Sequence, residues 1–191
     1  VSYVFGILAI VLLAYAALHD VAARTVPNWL PLCVAALGCA ARFADHTLGI
    51  ALIIAGVTFI VLFAIWVLGL MGGGDVKLWA ATALLIPPQL QPELDFYLRV
   101  FLLGGLLGLV YLALWPVARR VRQSNAARIL AARTLAAGLP QNMPAAGRPK
   151  SLLRRIARAE VWRIGRRGPL PYACAISVSA IVALLPPSLQ L

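Results

Sequence analysis

The 191-residue sequence is short of charge, and of acid above all: only 12% of its residues are charged and only six are Asp or Glu. By contrast 62% are hydrophobic, and the mean hydropathy is +0.91. A soluble domain carries about 25% charged and ~45–50% apolar residues, so a water-soluble globule is excluded and a multi-pass membrane protein is expected. Cysteine is scarce too. Cys33, Cys39 and Cys174 each sit inside an apolar stretch, with no C-x-x-C pair and no histidine at ligand spacing. That argues against a disulfide framework and a structural zinc site, and for small buried hydrophobes. The two histidines, His19 and His46, offer no Ser-His-Asp set. No basic residue precedes the first apolar run, so it lacks the charged start of a signal peptide and reads as a retained helix despite the A-x-A at Ala14-Tyr15-Ala16.

The net charge of +11 is unevenly spread: 13 of the 17 basic residues lie between Arg119 and Arg167, alongside one acid, Glu160. Clustering of this kind marks a cytoplasmic loop near anionic lipid rather than a nucleic-acid surface. Apolar runs at 2–18, 28–44, 48–70, 98–118 and 169–187 have lengths near the roughly 20 residues a crossing helix needs. A further segment, 76–86, is stopped by Pro87-Pro88 after 11 residues; it is either a re-entrant half-helix or continues to Leu90. Counting it as a span puts Arg24, Lys77 and the basic block on one side, and Asp45, Glu93 and Asp95 on the other. The reading is therefore an all-α protein of about six transmembrane helices with both termini outside. Residues 1–118 hold the first five helices, 119–168 a basic cytoplasmic loop, and 169–191 the last helix.

Within the loop, 119–135 and 151–164 have helical spacing, and "GLPQNMPAAGRPK" (138–150) has the composition of a joint. Leu153, Ile156, Ala157, Val161 and Ile164 form an apolar face opposite Arg154, Arg155, Arg158 and Arg166, which suits an amphipathic helix on the inner membrane surface. A lipid-facing or partner-facing role is expected for it.

This topology brings Asp20 and Asp75 to the same face, each the first acid after a run without charge. Asp75 either caps the helix that follows or belongs to a reactive pair. Two carboxylates in a low-dielectric site share a proton, and in aspartic proteases one activates water while the other protonates the carbonyl or leaving amine. His19 tunes Asp20 or merely flanks it; His46 falls on the opposite face. The glycines in "MGGGDVKL" either make a tight turn or leave a bulk-free stretch, with unusual backbone angles, for an extended peptide to approach. Lys77 balances charge near the pair or snorkels to the interface.

"GGGD" at 72–75 matches the GxGD signature of intramembrane aspartyl proteases, and "GGGDVKL" (72–78) resembles the type IV prepilin peptidase family in particular. The block running through Asp20, Arg24, Val26, Pro27 and Asn28 resembles that family's first-aspartate motif, and "PLPYACAI" (169–176) resembles the start of its last helix. The short CpaA/TadV type, which serves Flp and tight-adherence pili and lacks a methyltransferase domain, is the nearest likeness; the likeness does not extend to 119–168. It implies catalysis by Asp20 and Asp75, with Gly72, Gly74, Lys77, Arg24, Pro27 and Asn28 supporting the motifs. It also implies cleavage of a prepilin leader at the cytoplasmic face of the bacterial inner membrane, without N-methylation, metal or cofactor. Implied partners are the prepilin, anionic lipid at the 119–168 loop, and pilus or secretion assembly components, with no nucleic acid. A signal-peptide-peptidase-like enzyme would place Tyr-Asp inside a helix, whereas His19 precedes Asp20 here. A transporter or pilus-assembly scaffold, the non-enzymatic alternative, would place its acids near mid-span.

Overall fold

The computed structural model describes residues 2–136, 170 and 172–185, and among them every regular element is helical. The helices are α1 (Ser2–Ala23), α2 (Trp29–Ala44), α3 (Leu48–Val67), α4 (Gly73–Ala83), α5 (Leu90–Ala136) and α6 (Tyr172–Leu184). The amphipathic segment 151–164 and the joint 138–150 lie outside the described residues. One compact unit comprises residues 1–107 and 171–191, and a second comprises 108–170.

Three stretches, Val4–Ala23, Leu48–Val67 and Leu90–Val121, are long and apolar enough to cross a membrane; α2 and α6 are shorter apolar helices. Much of α3 is exposed, with Ile53, Val57, Ile60 and Val67 all more than half accessible. Lipid is the solvent that such a surface requires, so the exposure agrees with a membrane-embedded chain.

The doubtful fourth segment is α4. Its 11 residues rise only about 16 Å, half of the hydrocarbon thickness. It is buried on nearly all sides through Val76, Leu78, Trp79, Ala80, Ala81 and Thr82. A helix apolar all round is a core helix, and this one is enclosed by α2, α3 and α6. Gly38 of α2 makes the enclosure possible. A β-carbon there would stand 2.6 Å from Leu84 Cβ and 2.9 Å from the Leu84 carbonyl carbon. Gly38→Ala should therefore push α2 off the end of α4, at about 1–3 kcal/mol for an overpacked core. Thermal unfolding in detergent should show a lower midpoint, whereas Gly56→Ala, with nothing within 4 Å of its added carbon, should show none of that loss.

The first part of α5 is pinned by side chains rather than by close backbones. Tyr97 and Thr58 of α3 share a 2.6 Å hydrogen bond, and Phe101 meets the Trp79 ring edge-on at 5.4 Å. Glu93, expected in a solvent-facing loop, is instead buried in the first turn of α5 within reach of the Arg42 charge; Arg42 itself is paired with Asp45 at 3.2 Å.

Candidate active site

α1 runs past the expected boundary at residue 18 and carries Asp20 inside its last turns. It stops at Arg24, whose φ of 57° is left-handed and whose N–H donates to the Asp20 carbonyl at 2.8 Å. Pro27 follows, and its carbonyl accepts from Leu30 N–H at 3.0 Å as α2 begins. The whole first block, Asp20 to Asn28, is thus one helix end and one tight connection.

Asp20 is only 4% exposed. Its Oδ2 accepts the backbone N–H of Cys174, 154 residues away, at 3.2 Å. Asp75 is the third residue of α4, and its carboxylate accepts the backbone N–H groups of Gly72 and Ala173. The bond to Gly72 is one half of a capping box, so the carboxylate does cap its own helix. The bond to Ala173 shows that capping is not all it does. Adjacent amides of the first turn of α6 therefore hold the two aspartates, one each. Those amides have no partner within their own helix, and they lie at its positive end, which favours anions. Asp75 feels the negative charge of Asp20 and the opposing charge of Arg24. The sequence points to Asp20 and Asp75 as a pair, and the structure brings them together; that the amides of residues 173 and 174 seat them is visible only in the structure.

The three glycines lead directly into α4, with the Asp75 and Val76 N–H groups donating to the Gly72 carbonyl at 3.1 and 3.2 Å. Gly72 is extended (φ −73°, ψ 139°), and the one positive-φ glycine among the described residues is Gly69, at the end of α3. Backbone freedom is therefore not what residues 72–74 supply. A β-carbon on Gly72 would meet Asp75 Oδ2 at 2.9 Å, one on Gly73 the Trp66 indole nitrogen at 3.2 Å, and one on Gly74 the Val26 Cβ at 3.2 Å. The space left by the missing side chains is filled by the protein itself. It seats Asp75 and presses α4 against the connection after α1.

Lys77 donates to Asn28 Oδ1 at 3.1 Å, joining the two motif blocks away from the carboxylates. His19 flanks: its Nδ1–H donates to the Thr25 carbonyl at 2.7 Å, and its ring lies 5.7 Å from that of Tyr15. Among the described residues no three His, Cys, Asp or Glu side chains are grouped to hold a metal. An apolar groove of about 310 Å³ opens beside α4, lined by Ile65, Met71, Trp79, Phe101, Gly105 and Tyr172. Met71 and Tyr172, two of its lining residues, immediately precede in the chain the residues whose amides hold Asp75.

No curated protein and no solved structure matches the chain significantly. A family model does: the one described as the type IV leader peptidase family matches residues 7–113, more than half of the chain and both aspartate blocks. With a buried and a half-buried carboxylate meeting where those blocks converge, and a match of that extent, the chain belongs to the type IV leader peptidase family.

Proposed function

We propose that Asp20 and Asp75 are the catalytic dyad of a prepilin leader peptidase that cuts Flp-like prepilins at the cytoplasmic membrane face and adds no methyl group. One observation carries this reading above the rest: a buried and a half-buried carboxylate from distant parts of the chain rest on neighbouring amides of one helix end. In the reaction, the ionised carboxylate takes a proton from water as the oxygen attacks the scissile carbonyl carbon. The protonated carboxyl hydrogen-bonds the carbonyl oxygen and then delivers a proton to the leaving amine. Arg24 and Lys77 follow the two aspartates closely in the sequence, and basic residues of this kind mark cytoplasmic connections, which supports a cytoplasmic site. The resemblance to the short type that lacks a methyltransferase domain supports cleavage without methylation.

The apolar groove beside α4 suits the hydrophobic stem that follows a leader, since its lining residues Met71 and Tyr172 adjoin in sequence the residues that hold Asp75. The test is co-expression with a Flp-type prepilin in a bacterial membrane, read by gel shift and by the mass of the new N-terminus. A trimmed, unmethylated product is expected. No trimming would favour the scaffold reading, and a methylated product would remove the claim about methylation. Gly105→Trp should raise KM about tenfold at little change in kcat, because its added carbon meets nothing within 4 Å and the ring fills the groove.

A further inference from the structure

On the other side of α4 lies a second groove, of about 500 Å³, between α2, α3 and α4. Its body is apolar, formed by Leu32, Leu52, Gly56 and Phe59, and its polar groups are Lys77 and Asn28. We propose that this groove binds one anionic phospholipid, with an acyl chain against Leu32, Leu52 and Phe59 and the phosphate at Lys77 and Asn28.

The volume falls within the ~300–1,000 Å³ of sites that hold small amphiphiles. Shape alone would admit any lipid tail, so charge decides the occupant. The exposed Lys77 ammonium donates to Asn28 Oδ1, a neutral acceptor, and no carboxylate pairs with it among the described residues. A positive charge compensated only by an amide at the mouth of an apolar slot fits a phosphate headgroup, and it gives a zwitterionic lipid less to gain. Trp29, half exposed and 5.7 Å from the Tyr15 ring, sits beside Asn28 in the sequence and supplies the aromatic pair found where chains meet headgroups. Gly56 leaves the floor open: a β-carbon there meets nothing within 4 Å. The lipid would bridge three helices. Its head would touch the start of α2 and the first turns of α4, and its tail would cover the exposed inner edge of α3. The inference does not depend on Asp20 and Asp75 being catalytic.

The experiment is native mass spectrometry of the full chain, purified in mild detergent, stripped of lipid, and titrated with phosphatidylglycerol or phosphatidylcholine of matched chains. Wild type should hold one tightly bound phosphatidylglycerol with a preference of about fivefold over phosphatidylcholine, the worth of one lysine beside an anionic surface. Lys77→Gln should abolish that preference and leave a weak, unselective adduct. Gly56→Leu, whose side chain enters the open slot, should lose the tight adduct of both lipids. Persistence of the full preference in Lys77→Gln would assign it to other basic residues and overturn the proposal. So would equal binding of the two lipids by wild type, or unchanged binding by Gly56→Leu. Glycerol phosphate is a further arm: if it displaces phosphatidylglycerol at equal concentration, the site is one for free phosphate and not for lipid.

Discussion

Asp20→Asn and Asp75→Asn are each expected to lower leader cleavage by at least about 10³-fold, and the double variant should be no worse than either single one. General acid–base chemistry alone is worth about 10²–10⁴-fold, and groups that act as a unit fail together rather than additively. The structure makes Asn the informative replacement. Asp75 also caps α4 through Gly72 N–H and accepts from Ala173 N–H, while Asp20 accepts from Cys174 N–H. An Asn side chain keeps an acceptor oxygen for each of these bonds and is as good a cap as Asp, so the helices should stay docked. What it cannot do is take a proton from water or hold one to give away. The measurement is single-turnover cleavage of a Flp-type prepilin at matched protein levels, with thermal unfolding recorded beside it. Equal unfolding midpoints with cleavage lost in both variants would place the chemistry on this pair. Residual activity of more than about a tenth in either variant would remove that aspartate from the dyad.

The sequence carried the fold class, the order of helices and both aspartates, because each rests on a local signal. Uncharged runs announce helices in lipid, Pro87-Pro88 announces the early end of α4, and the two motif blocks announce the acids. What stayed hidden depends on distant partners. α1 extends through Asp20, a position where the charge suggests a boundary, and the carboxylate is buried against an amide 154 residues away. The glycines at 72–74 signal that bulk is unwelcome, but not what would collide with it. The answer is Trp66 from α3, Val26 from the α1–α2 connection, and Asp75 itself. Glu93 looked like a solvent-facing acid by the same charge-counting that oriented the helices. It is buried because α5 starts at Leu90, eight residues before the apolar run at 98–118, and sets it within reach of Arg42. Counting charges gives sides of a membrane and says nothing of depth.

Cys174→Pro should cost about 10–100-fold in kcat, with KM little changed, while Cys174→Ala should cost almost nothing. The two variants remove different things. Alanine deletes the thiol and keeps the backbone N–H that reaches Asp20 Oδ2 at 3.2 Å. Proline deletes that N–H as well, and a hydrogen bond to a charged group is worth about 1.5–3 kcal/mol. Position 174 is the third residue of α6, where the N–H has no carbonyl to bond within its own helix. The ring therefore breaks no ladder bond, and there is no preceding turn for it to strike. A modest loss of stability is expected because Ala173, helical in the structure, would precede a proline. Circular dichroism and thermal unfolding of both variants separate that loss from the catalytic one. If the helix survives and proline alone slows turnover, the start of α6 positions the dyad through its backbone. If alanine is as slow as proline, the thiol carries the effect and the amide does not. If proline is as fast as wild type, Asp20 is held by contacts other than this amide, and the first turn of α6 is only its neighbour.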